Sequence, residues 1–161
     1  MKQIRKGLFE TNSSSVHAIA IKTANLNPNP QYPEVVTFSR GEFGWEHDTL
    51  TTPNEKASYL YESLFCTDRN VDEFKDFATK ALASVGVKAE FDDDDSGYNY
   101  IDHGYETIDF NGYILESPEH LLNFLFQDSF IETGNDNSDC CPSERSLDAI
   151  RSDYEVFIKG N

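Results

Sequence analysis

Apolar residues recur along this chain in two distinct periods, and the change from one to the other marks its elements. Ser15-Val16-His17-Ala18-Ile19-Ala20-Ile21 alternates, which predicts a strand carrying His17, Ile19 and Ile21 on one face. Val35-Val36-Thr37-Phe38 is rich in β-branched and aromatic residues and reads as a further strand. Between them, Asn25 to Pro33 contains Pro28, Pro30 and Pro33 and reads as a loop. Gly41 and Gly44 then bracket a turn ahead of Trp45.

Helical spacing takes over at Thr52-Pro53-Asn54-Glu55, which supplies a cap residue, a proline at the first helical position and a glutamate at the third. Ala57, Leu60, Tyr61, Leu64 and Phe65 follow on one face. A second helix opens at Asn70 with Glu73, carries Val71, Phe74, Phe77, Ala78, Ala81, Leu82 and Val85, and ends at Gly86, where a left-handed closing residue belongs.

The second half reads mostly as strand. Val87 to Phe91 is a short strand, Tyr98 to His103 alternates, and Thr107 to Leu115 contains Asn111-Gly112, a hairpin-turn signal; residues 98–115 are therefore expected to form a hairpin. Ser117-Pro118-Glu119 starts a third helix through Leu121, Leu122, Leu125 and Phe126. Phe130 to Thr133 and Tyr154 to Ile158 read as strands, with a polar loop at 134–142 and a short helix at 146–150 between them. Strands and helices do not alternate regularly. The expectation is an α+β fold: one compact domain over 1–161, with a largely antiparallel sheet packed by two to four helices.

Charge changes this picture more than any motif does. The chain of 161 residues has 13 Lys and Arg against 29 Asp and Glu, a net of −16. Residues 1–88 hold ten bases and eleven acids, and residues 145–161 hold three of each. Residues 89–144 hold fifteen acids and no Lys or Arg. Mixed surfaces relieve like-charge repulsion, and this segment does not. Two explanations stand: a device for solubility, or a surface that attracts something positive.

No apolar run reaches the ~18–20 residues that span a bilayer, and no apolar stretch follows the basic first six residues, so a cytoplasmic protein with no membrane partner is expected. Cys66, Cys140 and Cys141 form neither a disulfide framework nor the spaced pairs of a zinc site. Asp92-x-Asp94-x-Ser96-Gly97 begins like a calcium loop, but position 12 counted from Asp92 is His103 instead of the required glutamate. No Gly-rich nucleotide fingerprint is present, and no cofactor or metal is expected.

The opening Phe9-Glu10-Thr11-Asn12-Ser13-Ser14-Ser15-Val16-His17 concentrates hydroxyls and backbone donors in one polar turn. Asn12, Ser13, Ser14, Ser15 and His17, with His103 and Asp136 from elsewhere, make a candidate site for a phosphate-bearing ligand or a small enzyme. The same residues also serve a turn that only satisfies itself. This opening resembles the start of an uncharacterised protein family of phages and mobile elements in low-GC Gram-positive bacteria. Gly44-Trp45-Glu46, Asn54 to Tyr61, Ile101-Asp102-His103 and Gly134-Asn135-Asp136-Asn137 resemble that family too. The resemblance implies a phage setting and no enzymatic activity.

Direct nucleic-acid binding is not expected of a chain whose second half repels phosphate. The reverse arrangement is. Carboxylates on one strand face recur every ~6.6–7 Å, and those of neighbouring strands and a loop imitate a phosphate array. Asp92, Asp93, Asp94, Asp95, Tyr98, Tyr100, Asp102, Tyr105, Glu106 and Asp109 are the candidate contacts for a basic nucleic-acid-binding host protein, the tyrosines supplying interface anchors. The expected function is an anti-defence inhibitor, such as an anti-CRISPR protein, acting as a nucleic-acid mimic. A small enzyme using the Ser-rich turn, and a phage assembly protein, are the alternatives.

Overall fold

A computed structural model describes residues 15–44, 47–94, 97, 99–102, 104–135 and 153–159. The polar turn at 9–14 and the short helix expected at 146–150 lie outside these residues. In order, the chain forms β1 (Ser15–Lys22), β2 (Val35–Ser39), β3 (Glu42–Phe43), β4 (Asp48–Leu50), α1 (Pro53–Cys66), α2 (Val71–Ala83), β5 (Lys88–Asp92) and β6 (Tyr100–Ile101). A 3₁₀ turn (Gly104–Thr107), α3 (Ile108–Glu116), α4 (Pro118–Phe126), β7 (Phe130–Asn135) and β8 (Tyr154–Lys159) complete it. The result is a single α+β domain with four α-helices among the described residues.

The main sheet has the order β4-β7-β1-β8, and every pairing in it is antiparallel. Strand alternation puts Ile19, Ile21, Ile131 and Leu50 on the face that joins the helices in the main core. Val16, Ala18 and Ala20 point the other way and are buried as well, with Ala20 against Phe130 in a smaller apolar cluster. β1 is therefore covered on both faces. Two short ribbons, β2 with β5 and β3 with β6, are parallel. Parallel neighbours need a long crossover, and α1 and α2 supply it between β2 and β5.

α1 is the hub. Thr52 and Glu55 form the reciprocal capping box expected of them, which also holds the Glu55 carboxyl below its ordinary pKa, chiefly through the Thr52 backbone N–H. β2, β6, the 3₁₀ turn, α3 and α4 all pack against this helix. That enclosure buries its polar positions along with its apolar stripe: Lys56, Glu62 and Ser63 are sealed beside Leu60 and Leu64. Each finds a partner, as burial demands. Lys56 Nζ donates to the carbonyl of Ser129 at 3.0 Å. Glu62 receives a two-pronged ion pair from Arg40, 2.6 Å and 3.1 Å, while the guanidinium lies 3.7 Å above the Phe65 ring.

α2 ends on Gly86 at φ +78°, with the N–H groups of Val87 and Gly86 returning to the carbonyls of Leu82 and Ala83, the closing pattern expected from the sequence. Phe38, Tyr61, Phe74 and Phe91 then form an aromatic cluster under the β2–β5 ribbon.

The hairpin expected over 98–115 is overturned. Tyr100-Ile101 is a two-residue strand paired with β3, and Asn111-Gly112 lies inside α3. The buried face of that helix is Phe110, Asn111 and Ile114, preceded by Thr107, at helical spacing. Asn111 accounts for the difference. Its side chain accepts from Ser63 Oγ at 2.6 Å and donates to the Ser63 carbonyl at 3.1 Å and to Thr67 Oγ1 at 2.9 Å. A residue that favours turns through its hydrogen bonds has here been satisfied by α1.

Candidate functional site

The Ser-rich strand and the 100–109 segment meet. The Ser15 N–H donates to Asp102 Oδ2 at 3.2 Å, and Ser15 Oγ donates to the Asp102 carbonyl at 3.3 Å. His17, on the same face of β1, shares a 2.6 Å hydrogen bond between Nδ1 and Tyr59 Oη. Burial holds the Tyr59 hydroxyl far above its ordinary pKa, with the Cys66 thiol adding to the shift. The other edge of the imidazole lies against Gly44. A Cβ there would fall 2.8 Å from His17 Cε1, and the backbone φ is +110°, so both space and conformation require glycine.

These groups are inside the protein. Ser15 is 2% exposed and His17 is fully buried, so the Ser15–His17–Tyr59 arrangement packs β1 onto α1 and offers its atoms to no solvent-borne substrate. Asn12, Ser13, Ser14, His103 and Asp136, the other members of the candidate ligand site, lie outside the described residues. Among the described residues no group of three or more His, Cys, Asp or Glu side chains is arranged to hold a metal ion, and no helix is long and apolar enough to cross a membrane.

The candidate partner-binding acids divide into two settings. At the end of β5, Asp92, Asp93 and Asp94 are exposed, but each is used locally. Asp92 Oδ1 accepts from the Asp94 N–H at 3.1 Å, and the Asp94 carbonyl accepts from Asn99 Nδ2 at 3.1 Å. Asp93 receives Lys75 Nζ at 2.6 Å and the Tyr61 hydroxyl. Lys75 first and Tyr61 second hold the Asp93 carboxyl below the usual range, while burial and then Asp93 itself raise the Tyr61 hydroxyl. The negative charge of Asp93 is thus matched within the chain. Asp95 and Tyr98 lie outside the described residues.

The second setting is the 3₁₀ turn and the start of α3. Tyr100 is half-buried in β6, and Asp102 is half-buried beside Ser15. Tyr105, Glu106 and Asp109 are exposed. Between the last two stands Ile108, which sequence reading did not select. Tyr105 is 63% and Ile108 50% exposed. The turn can project them because its inner side is fixed: Gly104 approaches Cys66 so closely that a Cβ would sit 2.6 Å from Sγ, and Thr107 Oγ1 donates to the Gly104 carbonyl at 2.6 Å.

Two open clefts flank this turn. One, of about 420 Å³, is lined by Cys66, Ile101, Asp102, Gly104 and Tyr105. The other, of about 490 Å³, brings Ile108 and Asp109 together with Glu116, Glu155, Tyr113 and Arg69. Tyr113 stacks face to face on His120 at 3.9 Å, and burial and then Glu155 raise its hydroxyl pKa. Glu116 and Glu155 were not foreseen because only the fold brings α3 and β8 to one cleft. Ile108 had a signal: a large aliphatic residue between acids, one position off the buried face of α3. Not every acid of the segment serves the surface, for Glu132 is buried in β7 at 4% exposure.

Compared with protein-family models, curated proteins and solved structures, the chain matches none.

Proposed function

We propose that this protein binds a basic nucleic-acid-binding protein and occupies the surface that would otherwise hold nucleic acid. The observation that carries the proposal is the acidic turn at 104–109, where exposed Tyr105 and Ile108 stand among Asp102, Glu106 and Asp109 in a segment with no Lys or Arg. Carboxylates spread over a surface draw a cationic partner and set the encounter rate. Large anchors with charges at the rim are the arrangement that holds a partner once it arrives. The resemblance of residues 9–17 and the four other segments to a phage and mobile-element family favours a host-defence protein as the target, with the chain acting as its inhibitor.

A gel-shift competition tests this. Tagged protein is incubated with host lysate, the retained proteins are eluted with salt, and their DNA or RNA binding is measured with and without the purified chain. The expected result is loss of nucleic-acid binding as the chain is added, weakened by salt because exposed charges are screened beyond ~8 Å at 0.15 M. Nucleic-acid binding that is indifferent to the chain overturns the proposal.

A further inference from the structure

We infer that the surface this protein occupies is a single-strand-binding groove rather than a duplex cleft. The inference rests on the charge reading above and sharpens it to one class of partner. Proteins that hold duplexes do so largely through cations and polar groups on phosphate and sugar. Grooves for single strands add aromatic side chains on which unpaired bases stack, interleaved with the cations that track the backbone. A decoy for the first needs only carboxylates. A decoy for the second needs carboxylates and, beside them, exposed flat or apolar groups that take the place of bases.

The 104–109 turn has both. Tyr105 stands in the 3₁₀ turn and Ile108 opens α3 directly after it, each lining one of the two clefts that flank the turn. They are two of the four large apolar side chains exposed among the described residues. Of the others, Tyr32 already packs edge-on against Phe126 at 5.0 Å, and Ile158 lies on β8, on the sheet face away from the main core. Glu106 and Asp109 are interleaved with Tyr105 and Ile108 in sequence. Glu106 also hydrogen-bonds to the Tyr105 hydroxyl and raises its pKa, so the ring and the carboxylate are presented together. By contrast, Tyr61, the ring whose hydroxyl bonds to Asp93 in the Asp92–Asp94 stretch, is buried.

Two cationic peptides of equal length and charge separate the possibilities, one alternating Arg with Trp and the other Arg with Ala. Each is titrated calorimetrically into the full-length protein over a range of salt concentrations. The wild-type protein is expected to prefer the Trp peptide about ten-fold, the scale of one stacking contact. Tyr105→Ala with Ile108→Ser should abolish that preference while leaving the salt-dependent affinity common to both peptides. Tyr105→Phe should retain it. Glu106→Gln with Asp109→Asn should weaken both peptides alike. If the wild type binds the two peptides equally, with ordinary salt dependence, this inference falls and the charge reading stands. If neither peptide binds at ~0.15 M salt, the charge reading itself falls. A Trp preference that survives the Tyr105/Ile108 double substitution places the aromatic contact elsewhere and overturns the inference.

Discussion

The Arg40–Glu62 pair and the 104–109 turn both pack against the hub helix, yet they treat charge in opposite ways. Glu62 is 1% exposed and is met by a guanidinium in a two-pronged ion pair. Glu106 and Asp109 face solvent in a stretch where the chain supplies no Lys or Arg. Between these extremes lies Asp93, exposed but paired with Lys75. The gradient separates charge sealed within the fold from charge at the solvent face, where Glu106 hydrogen-bonds to Tyr105 and Asp109 shares a cleft with Arg69. It also shows that counting acids along a sequence overestimates an acidic surface, since Asp93 is answered within the chain and Glu132 is buried.

The largest stability effect should come from the compensated end of the gradient. Glu62→Ala leaves the Arg40 guanidinium beside Phe65 without its carboxylate and should cost about 3 kcal/mol in urea unfolding. A loss below about 1 kcal/mol would mean that the pair is not sealed. Asn111→Ala should cost about 2 kcal/mol, because three hydrogen bonds of this buried side chain, to Ser63 and Thr67, are lost together. An unchanged stability there would mean that the contact between α1 and α3 does not depend on it.

Asp93→Asn should cost under about 1 kcal/mol at pH 7, since the pair is exposed and screened. Its pH dependence carries the sign. The folded carboxyl is held below its unfolded pKa of about 3.9, so its contribution is present above that pH. It is lost as pH falls through the depressed folded value. The gap in melting temperature between wild type and Asp93→Asn should therefore close on acidification; a gap that widens contradicts the assignment. Reversing Asp93 to Lys would set two ammonium groups together and should lower the melting temperature. The smallest effect on stability is expected from Tyr105→Ala with Ile108→Ser, within about 0.5 kcal/mol of wild type. A larger loss measured by thermal unfolding would show that these side chains serve the fold.

Sequence carried the caps well because caps are local. Thr52, Asn70 and Ser117 each accept from a nearby backbone N–H, as their spacing predicts. Gly86 closes α2 for the same reason. The hairpin expected at 98–115 failed where the deciding contacts were remote: Asn111 reads as a turn residue until Ser63, 48 positions earlier, takes up its amide. The helical period Thr107, Phe110, Asn111, Ile114 was present, but a polar residue on the buried face concealed it. The candidate site was legible as charge and as individual residues. The two clefts were not, because one depends on α3 being a helix with β8 beside it and the other on the 3₁₀ turn closing onto Cys66.

β1 pairs with β7 and β8, partners that begin more than a hundred residues later. At a synthesis rate of ~5–20 residues per second, this apolar strand waits roughly 5–20 s after emerging before its first partner exists. The helices that cover one of its faces are made in that interval, but neither of its edges can be closed. Nearly all the net negative charge of the chain emerges during the same wait. Like-charge repulsion between two such nascent chains opposes the pairing of their still-open Val-Ala-Ile-rich edges.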